Sequence, residues 1–322
     1  MSSFTNNRLL FLILFSASLI TGCDQGIDVY TPVKELPFAD NQLKDCVWTM
    51  AQQEGWSTVG NVTRLRCVNP KGHKIKKLSG IEHLANLAAL NLSHNEIEDI
   101  SDLASLKNLR RLDISDNLIR RVPELQSHSI INEMNLSYND ISDISWLKHY
   151  SQLQILSLGH NRLMAITAVS DVPSLTSLDL SLNHLTDAAP LTKLVNLRQL
   201  DFSENRLTDL ESIGQLEQLE NLYLSHNQIT DINALHRLKA LRELDLSWNR
   251  LTNIDRIKTL RNISRIYLDY NPIVNIEPLL ELSELKQVGL QGVPNISCDI
   301  EATLTREFGA TLLTSEEGCS GP

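Results

Sequence analysis

Aromatic side chains are scarce in this chain of 322 residues: Phe, Trp and Tyr make up 5 % of it, against 42 % hydrophobic residues in all. A core built from such material is aliphatic. Positive charge is in deficit too, with 29 Lys and Arg against 39 Asp and Glu and a formal charge of −10. The acids are spread along the chain instead of gathered in a tail. Such a surface repels phosphate backbones, which excludes nucleic acid as the expected partner. Five cysteines, at 23, 46, 67, 298 and 319, are too few for a disulfide-built scaffold. Catalytic signatures are missing as well. No GxSxG elbow, HExxH helix or phosphate-cradling GxxxxGK loop occurs. The expectation is a protein without catalytic residues, cofactor or metal.

The only long apolar run lies at the start, where MSSFTNNR is followed by LLFLILFSASLITG, 14 largely apolar residues. That run is too short to cross a bilayer comfortably and suits the apolar region of an export signal. It ends in Ile20-Thr21-Gly22-Cys23, which resembles the lipobox of bacterial lipoproteins. The resemblance implies that residues 1–22 are removed and that Cys23 becomes the lipid-modified N-terminus, held in a membrane by its acyl chains. Asp24 resembles the enterobacterial signal for retention in the inner membrane, facing the periplasm, with the cell surface as the alternative location. Residues 24 to 38, DQGIDVYTPVKELPF, show no periodicity and are assigned with Cys23 to a lipidated tether, 23–38.

What the chain has in abundance is a repeat. Asn95, Asn117, Asn139, Asn161, Asn183, Asn205, Asn227, Asn249 and Asn271 recur at an unbroken spacing of 22 residues. With the asparagine counted as place nine, place four holds Leu90, Leu112, Met134, Leu156, Leu178, Leu200, Leu222, Leu244 and Ile266. Place six is equally apolar, from Leu92 to Leu268, and places one, eleven, fourteen, seventeen and twenty are mostly Leu, Ile or Val. Alternation at places four and six puts both side chains on one face of a short strand. The chain must then bend around the core, and a buried asparagine supplies donors and acceptors to peptide groups that have lost their strand partners. Stacked turn on turn, the nine asparagines are expected to form a structural ladder. Place thirteen is mostly Asp or Asn (Asp99, Asp143, Asp231, Asn253), which predicts capping of a short helical turn on the far side; Arg121 and Ala165 lack that cap.

The pattern LxxLxLSxNxIxDIxxLxxL resembles leucine-rich repeats of the 22-residue class, shared by bacterial internalins and a phosphatase regulatory subunit. The resemblance implies an α/β fold, a curved right-handed leucine-rich-repeat solenoid over residues 85–290. An N-terminal cap over 39–84 and a C-terminal cap over 291–322 would cover its ends. DNQLKDCVWTMAQQEGW predicts a helix with Leu43, Val47, Met50 and Ala51 on one side and Gly55 as its stop, followed by a strand-like STVGNVTRLRCV. Ile300, Leu304 and Phe308 predict a second helix, with Asp299 to cap it and Gly309 to end it. Cys46–Cys67 and Cys298–Cys319, each 21 residues apart, pair within one cap apiece and avoid linking opposite ends of the arc. Both closures require an oxidising compartment, in agreement with export.

The concave face is expected at places three, five, seven and eight. Tyr223, His226, Asp245, Trp248, Tyr267 and Tyr270 come from three consecutive repeats there. Trp and Tyr carry much of the energy of protein interfaces, so these six residues are the candidate partner-binding patch. The same places hold nine acids, Asp113 and Asp245 among them, against Arg111 and Arg265. A protein with a basic surface would be steered there. His94, His160 and His226 lie about 14 Å apart along such an array, too far for one metal ion. The leading expectation is a membrane-anchored lipoprotein that binds a protein partner; an internalin-like surface adhesion protein is the second, and a phosphatase-regulatory-like scaffold conflicts with export.

Overall fold

The computed structural model describes residues 27–69, 72–123, 130–294, 296–308 and 311–313. The signal segment, Cys23, Asp24, His128, Gly309 and Cys319 lie outside them. Among the described residues, twelve parallel strands form one sheet in strict chain order. They are β1 (Arg64–Arg66), β2 (Ala89–Asn91), β3 (Arg111–Asp113), β4 (Glu133–Asn135), β5 (Ile155–Ser157) and β6 (Ser177–Asp179), then β7 (Gln199–Asp201), β8 (Asn221–Tyr223), β9 (Glu243–Asp245), β10 (Arg265–Tyr267), β11 (Gln287–Gly289) and β12 (Thr311–Leu313).

Register follows the repeat without slip. Place four opposes place four, as Leu112 does Met134 and Leu200 does Leu222. A one-residue shift would turn the leucines to solvent, so burial of one face fixes the pairing. Leucines at place one, Leu87 and Leu175 for instance, are fully buried, and one continuous aliphatic core runs the length of the stack. This is a leucine-rich-repeat solenoid.

The asparagines hold the bend after each strand by the same four contacts, repeat after repeat. Asn183 Nδ2 donates to the carbonyls of Leu158 in the preceding coil, at 3.0 Å, and of Leu180 in its own, at 3.1 Å. A further donation reaches Ser181 O, and Asn183 Oδ1 accepts from Leu163 N–H at 2.9 Å. Towards the N-terminal cap, equivalent sets surround Asn95, Asn117, Asn139 and Asn161. Towards the other end they surround Asn205, Asn227, Asn249 and Asn271. All nine side chains are buried. One amide thus satisfies buried peptide groups of two coils, which only a side chain with both donor and acceptor can do.

Opposite the sheet, the coils after β1 and β2 and after β4 to β10 close through tight 3₁₀ turns of three to five residues, such as Ser101–Ser105 and Asn233–Arg237, and no α-helix occurs between β1 and β11 among the described residues. A repeat of 22 residues leaves too few for a longer helix once the strand and two bends are made. Asp99, Asp143 and Asp231 accept the N–H two residues ahead, at 2.9, 2.9 and 2.6 Å, and so pin the entry to these turns. The turn after Ala165 forms without that help, over Thr167–Asp171.

The N-terminal cap is larger than its sequence suggests. Helix α1 (Asn41–Glu54) is capped by Asp40, whose side chain accepts from Gln42 and Leu43 N–H, and stops at Gly55 with φ 72°. Asp40 also accepts from Lys76 and Lys77 N–H. Burial alone would raise its carboxyl, but the backbone bonds together outweigh burial and hold it below the usual range. The assigned tether does not hang free: from Ile27 onward it packs on the cap, with Val33 and Leu36 buried. Of the strand-like STVGNVTRLRCV, only Arg64–Arg66 is strand; Val59–Asn61 is a 3₁₀ turn. Cys46 and Cys67 are disulfide-bonded with Cα atoms 5.8 Å apart. Closing that loop stabilises by about 3 kcal/mol on the chain-entropy estimate. At the far end, α2 (Cys298–Phe308) starts two residues earlier than expected, so Asp299 sits in its first turn instead of capping it. There its charge faces the positive helix end. Leu304 is fully buried, and β12 adds a last strand that the sequence pattern does not announce.

Candidate protein-binding rim

From β2 to β10 each strand buries place four and leaves place five half-buried, while place three is exposed or half-buried everywhere but at Glu243. Beyond the strand, the residue at place eight takes a conformation that sequence reading missed. His94, Asp116, Tyr138, His160, Leu182, Glu204, His226, Trp248 and Tyr270 all have φ between 52° and 59°. Left-handed backbone costs an ordinary L-residue roughly 1–2 kcal/mol. It persists because the N–H of each place-eight residue donates to the next coil, as Trp248 N–H does to Asp269 O at 2.7 Å and His226 N–H to Ser247 O at 2.9 Å. Substituting glycine at Leu182, 41 % exposed and free of ring contacts, removes this strain. Leu182→Gly is expected to raise unfolding free energy by about 0.5–1 kcal/mol, read by urea titration.

The conformation points nine side chains outward in one column along the rim of the concave face, at the strand repeat. Rings in that column must therefore stack. His226 and Trp248 lie with centroids 5.1 Å apart and planes 12° apart, and Trp248 and Tyr270 lie at 3.9 Å and 23°. A second pair, Tyr138 and His160, stacks at 4.4 Å. The three-ring stack ends on Gly292, the next place-eight position, where an added Cβ would sit 2.6 Å from Tyr270 Cδ1. At its other end His226 Nε2 lies 3.8 Å from Glu204. Trp248 stays 48 % exposed. The 22-residue spacing of Gly292 from Tyr270 was the sequence signal for this boundary.

The other half of the expected patch lies on the strands. Tyr223, Asp245 and Tyr267 occupy place five of β8, β9 and β10, half-buried side by side. Between them, at place three, Glu243 is buried and held by Arg265, whose Nε lies 2.8 Å from it, a pairing not anticipated from sequence. Burial, with the Glu243 charge beside them, pushes both Tyr223 and Tyr267 hydroxyls above their ordinary range. So the six residues form two neighbouring columns, a rim of rings and a strand row of phenols around a carboxylate.

Further along place five, Asp113, Asp179 and Asp201 accept from the N–H of the serine two residues on, at 3.1, 2.9 and 2.9 Å. These serines are packing residues. Burial raises the Asp201 pKa above its ordinary value; the Ser203 bonds oppose this, and the charges of Asp179 and Asp245 add to it. A carboxyl with a raised folded-state pKa penalises folding when ionised, and the penalty vanishes as pH falls to the ordinary range. Asp201→Asn keeps the acceptor for Ser203. It is expected to be more stable than the parent at neutral pH, with the difference disappearing near pH 3.8, in parallel urea titrations.

Among the described residues no group of three or more His, Cys, Asp or Glu is placed to hold a metal ion. His94 pairs with Asp116, while His160 and His226 are taken up in ring stacks. No helix among the described residues is long and apolar enough to cross a membrane.

Comparison with known proteins agrees with this geometry. The family description "Leucine rich repeat" matches residues 173–229 and 210–251, and "Leucine Rich repeats (2 copies)" matches 85–127. No curated protein matches the sequence significantly. Among solved structures the chain is similar to the internalin InlF of Listeria monocytogenes, with 26 % identity and a TM-score of 0.73 over 89 % of this chain and 92 % of that one. The functional domain of InlJ from the same species shares the fold at 23 % identity and a TM-score of 0.75, over 90 % of this chain and 62 % of that one. TLR13 in its complex with ssRNA13 is similar at 25 % identity and a TM-score of 0.57, over 67 % of this chain and 34 % of that one. The chain thus carries leucine-rich repeats in a solenoid similar to that of the internalins.

Proposed function

We propose that this protein is a membrane-anchored lipoprotein that binds a protein partner at the concave rim formed by Tyr223, His226, Asp245, Trp248, Tyr267 and Tyr270. The observation that carries the reading is the stack of three exposed rings, His226, Trp248 and Tyr270, fixed by backbone bonds before any partner arrives. Rings already held in place lose little freedom on binding, which leaves more of their contact energy for affinity. The partner has a basic surface, because acids outnumber bases along the strand row and the rim. That charge also argues against single-stranded RNA, the ligand in the TLR13 complex. Anchoring rests on the lipobox at Cys23, and the Cys298–Cys319 closure belongs to the same exported, oxidised chain. Cys23→Ser is expected to move the protein from the membrane to the soluble fraction; retention in the membrane would contradict the anchor.

The likeness to InlF supports a second reading, a surface protein for adhesion. Protease treatment of intact cells separates the two. A chain that is protected until the envelope is opened faces the periplasm, and a chain that is shaved at once is displayed outside.

A further inference from the structure

We propose that the N-terminal cap lies against an anionic bilayer, so that β1 is nearest the lipid and the solenoid stands off from it. This rests on acylation of Cys23 and goes beyond it, since an anchor alone sets no orientation.

Chain length is the first argument. The cap begins almost at the anchor: Gly60 N–H donates to Val29 O at 2.8 Å, Val59 N–H to Thr31 O at 2.9 Å and Val33 N–H to Ser57 O at 3.3 Å. Ile27 already packs on the core. From Cys23 to Ile27 the chain can span at most about 14 Å. The acyl attachment therefore cannot be farther than that from the folded cap.

What the cap shows to that surface is the second. Tyr30 is 78 % exposed and Val29 is 46 % exposed, on the segment closest to the anchor. A tyrosine with its ring in the headgroup layer and its hydroxyl in water is a favoured interfacial residue. Charge is the third argument and is independent of the other two. Residues 27 to 80 hold eight Lys and Arg against five Asp and Glu, whereas residues 81 to 322 hold 20 against 33. Lys34, Arg66 and Lys77 are exposed on this end. An anionic surface attracts the cap and repels the rest of the array, and the two forces turn the molecule the same way. Strands step by about 4.8 Å, so the rings that follow β9 stand about 40 Å along the arc from β1. A partner reached at that height is one that stands clear of the headgroups.

Lysine acetylation footprinting of the full acylated chain tests this, in nanodiscs of phosphatidylcholine alone or with phosphatidylglycerol. Lys34 and Lys77 are expected to react about fivefold more slowly on the anionic discs, the factor that one basic contact with such a surface implies. Lys193 and Lys286, distant from the cap, should react equally on both. Equal rates at Lys34 and Lys77 on the two lipids would overturn the docking. The mass of the N-terminal peptide is read in the same experiment: an unacylated Cys23 defeats the anchor and the docking together, whereas acyl mass with equal rates defeats the docking alone.

Discussion

Replacing Asn183 by leucine is expected to lower the unfolding free energy by about 2–6 kcal/mol, measured by urea titration with far-ultraviolet circular dichroism. The N–H of Leu163 loses its partner, and the carbonyls of Leu158 and Leu180 each lose one of two donors, keeping those of Asn161 and Asn205. The unpaired N–H costs about 1–3 kcal/mol, and each lost carbonyl bond about 0.5–1.5 kcal/mol. Leucine has the branched outline of asparagine and more apolar surface, so a purely hydrophobic account of the core would predict little loss or a gain. Asn183→Asp separates the two halves of the interaction. It keeps the acceptor for Leu163 N–H, loses the donors, and buries a charge among carbonyl oxygens; it should be at least as damaging at neutral pH and recover in part as acid protonates it. Because neighbouring coils stabilise one another, a defect at this central rung should also reduce the steepness of the transition.

The second large effect concerns binding. Trp248→Ala and Tyr270→Ala are each expected to weaken capture of the partner about 30-fold or more, the range of interface residues worth about 2 kcal/mol. Their effects should not add. The rings lie 3.9 Å apart, so removing Tyr270 also frees Trp248 to leave its position. The double variant should therefore lose less than the product of the two single losses. Neither change should lower stability by much, since both side chains are exposed on the rim. A melting temperature that fell with affinity would assign the loss to folding instead. Association should slow as salt is raised, because a basic partner is drawn in by the acids of the strand row.

The repeat itself was readable from sequence because it is written in side chains that have one physical use. An asparagine every 22 residues in a row of leucines has few explanations, and interior rungs such as Asn139, Asn161, Asn227 and Asn249 bond the same peptide groups as the terminal ones, Asn95 and Asn271. Alternation of Leu and polar residues at places three to five likewise specified the strands. The left-handed place-eight backbone was not readable. His, Asp, Tyr, Leu, Glu and Trp all stand there, none of which signals positive φ as glycine does. The bonds that impose it come from the next coil. Ring stacking followed from that backbone, and so was hidden too, although the aromatic residues themselves were picked out. The packing of the segment from Ile27 to Phe38 was not readable because its buried residues, Val33 and Leu36, have no period; they lie in and just after a single 3₁₀ turn, Val33–Glu35, that the cap holds in place. The Glu243–Arg265 pair was missed for a related reason. A contact between adjacent coils joins residues 22 apart, which no local pattern displays.

Site-directed photocrosslinking in living cells tests the proposed docking surface most directly. A benzophenone side chain in place of Tyr267, on the strand row beside the ring stack, is predicted to give a discrete adduct with one protein. The same group at Val195, exposed next to a 3₁₀ turn on the opposite side, is predicted to give none. An adduct from Val195 with nothing from Tyr267 would place the partner on the other face and contradict the account.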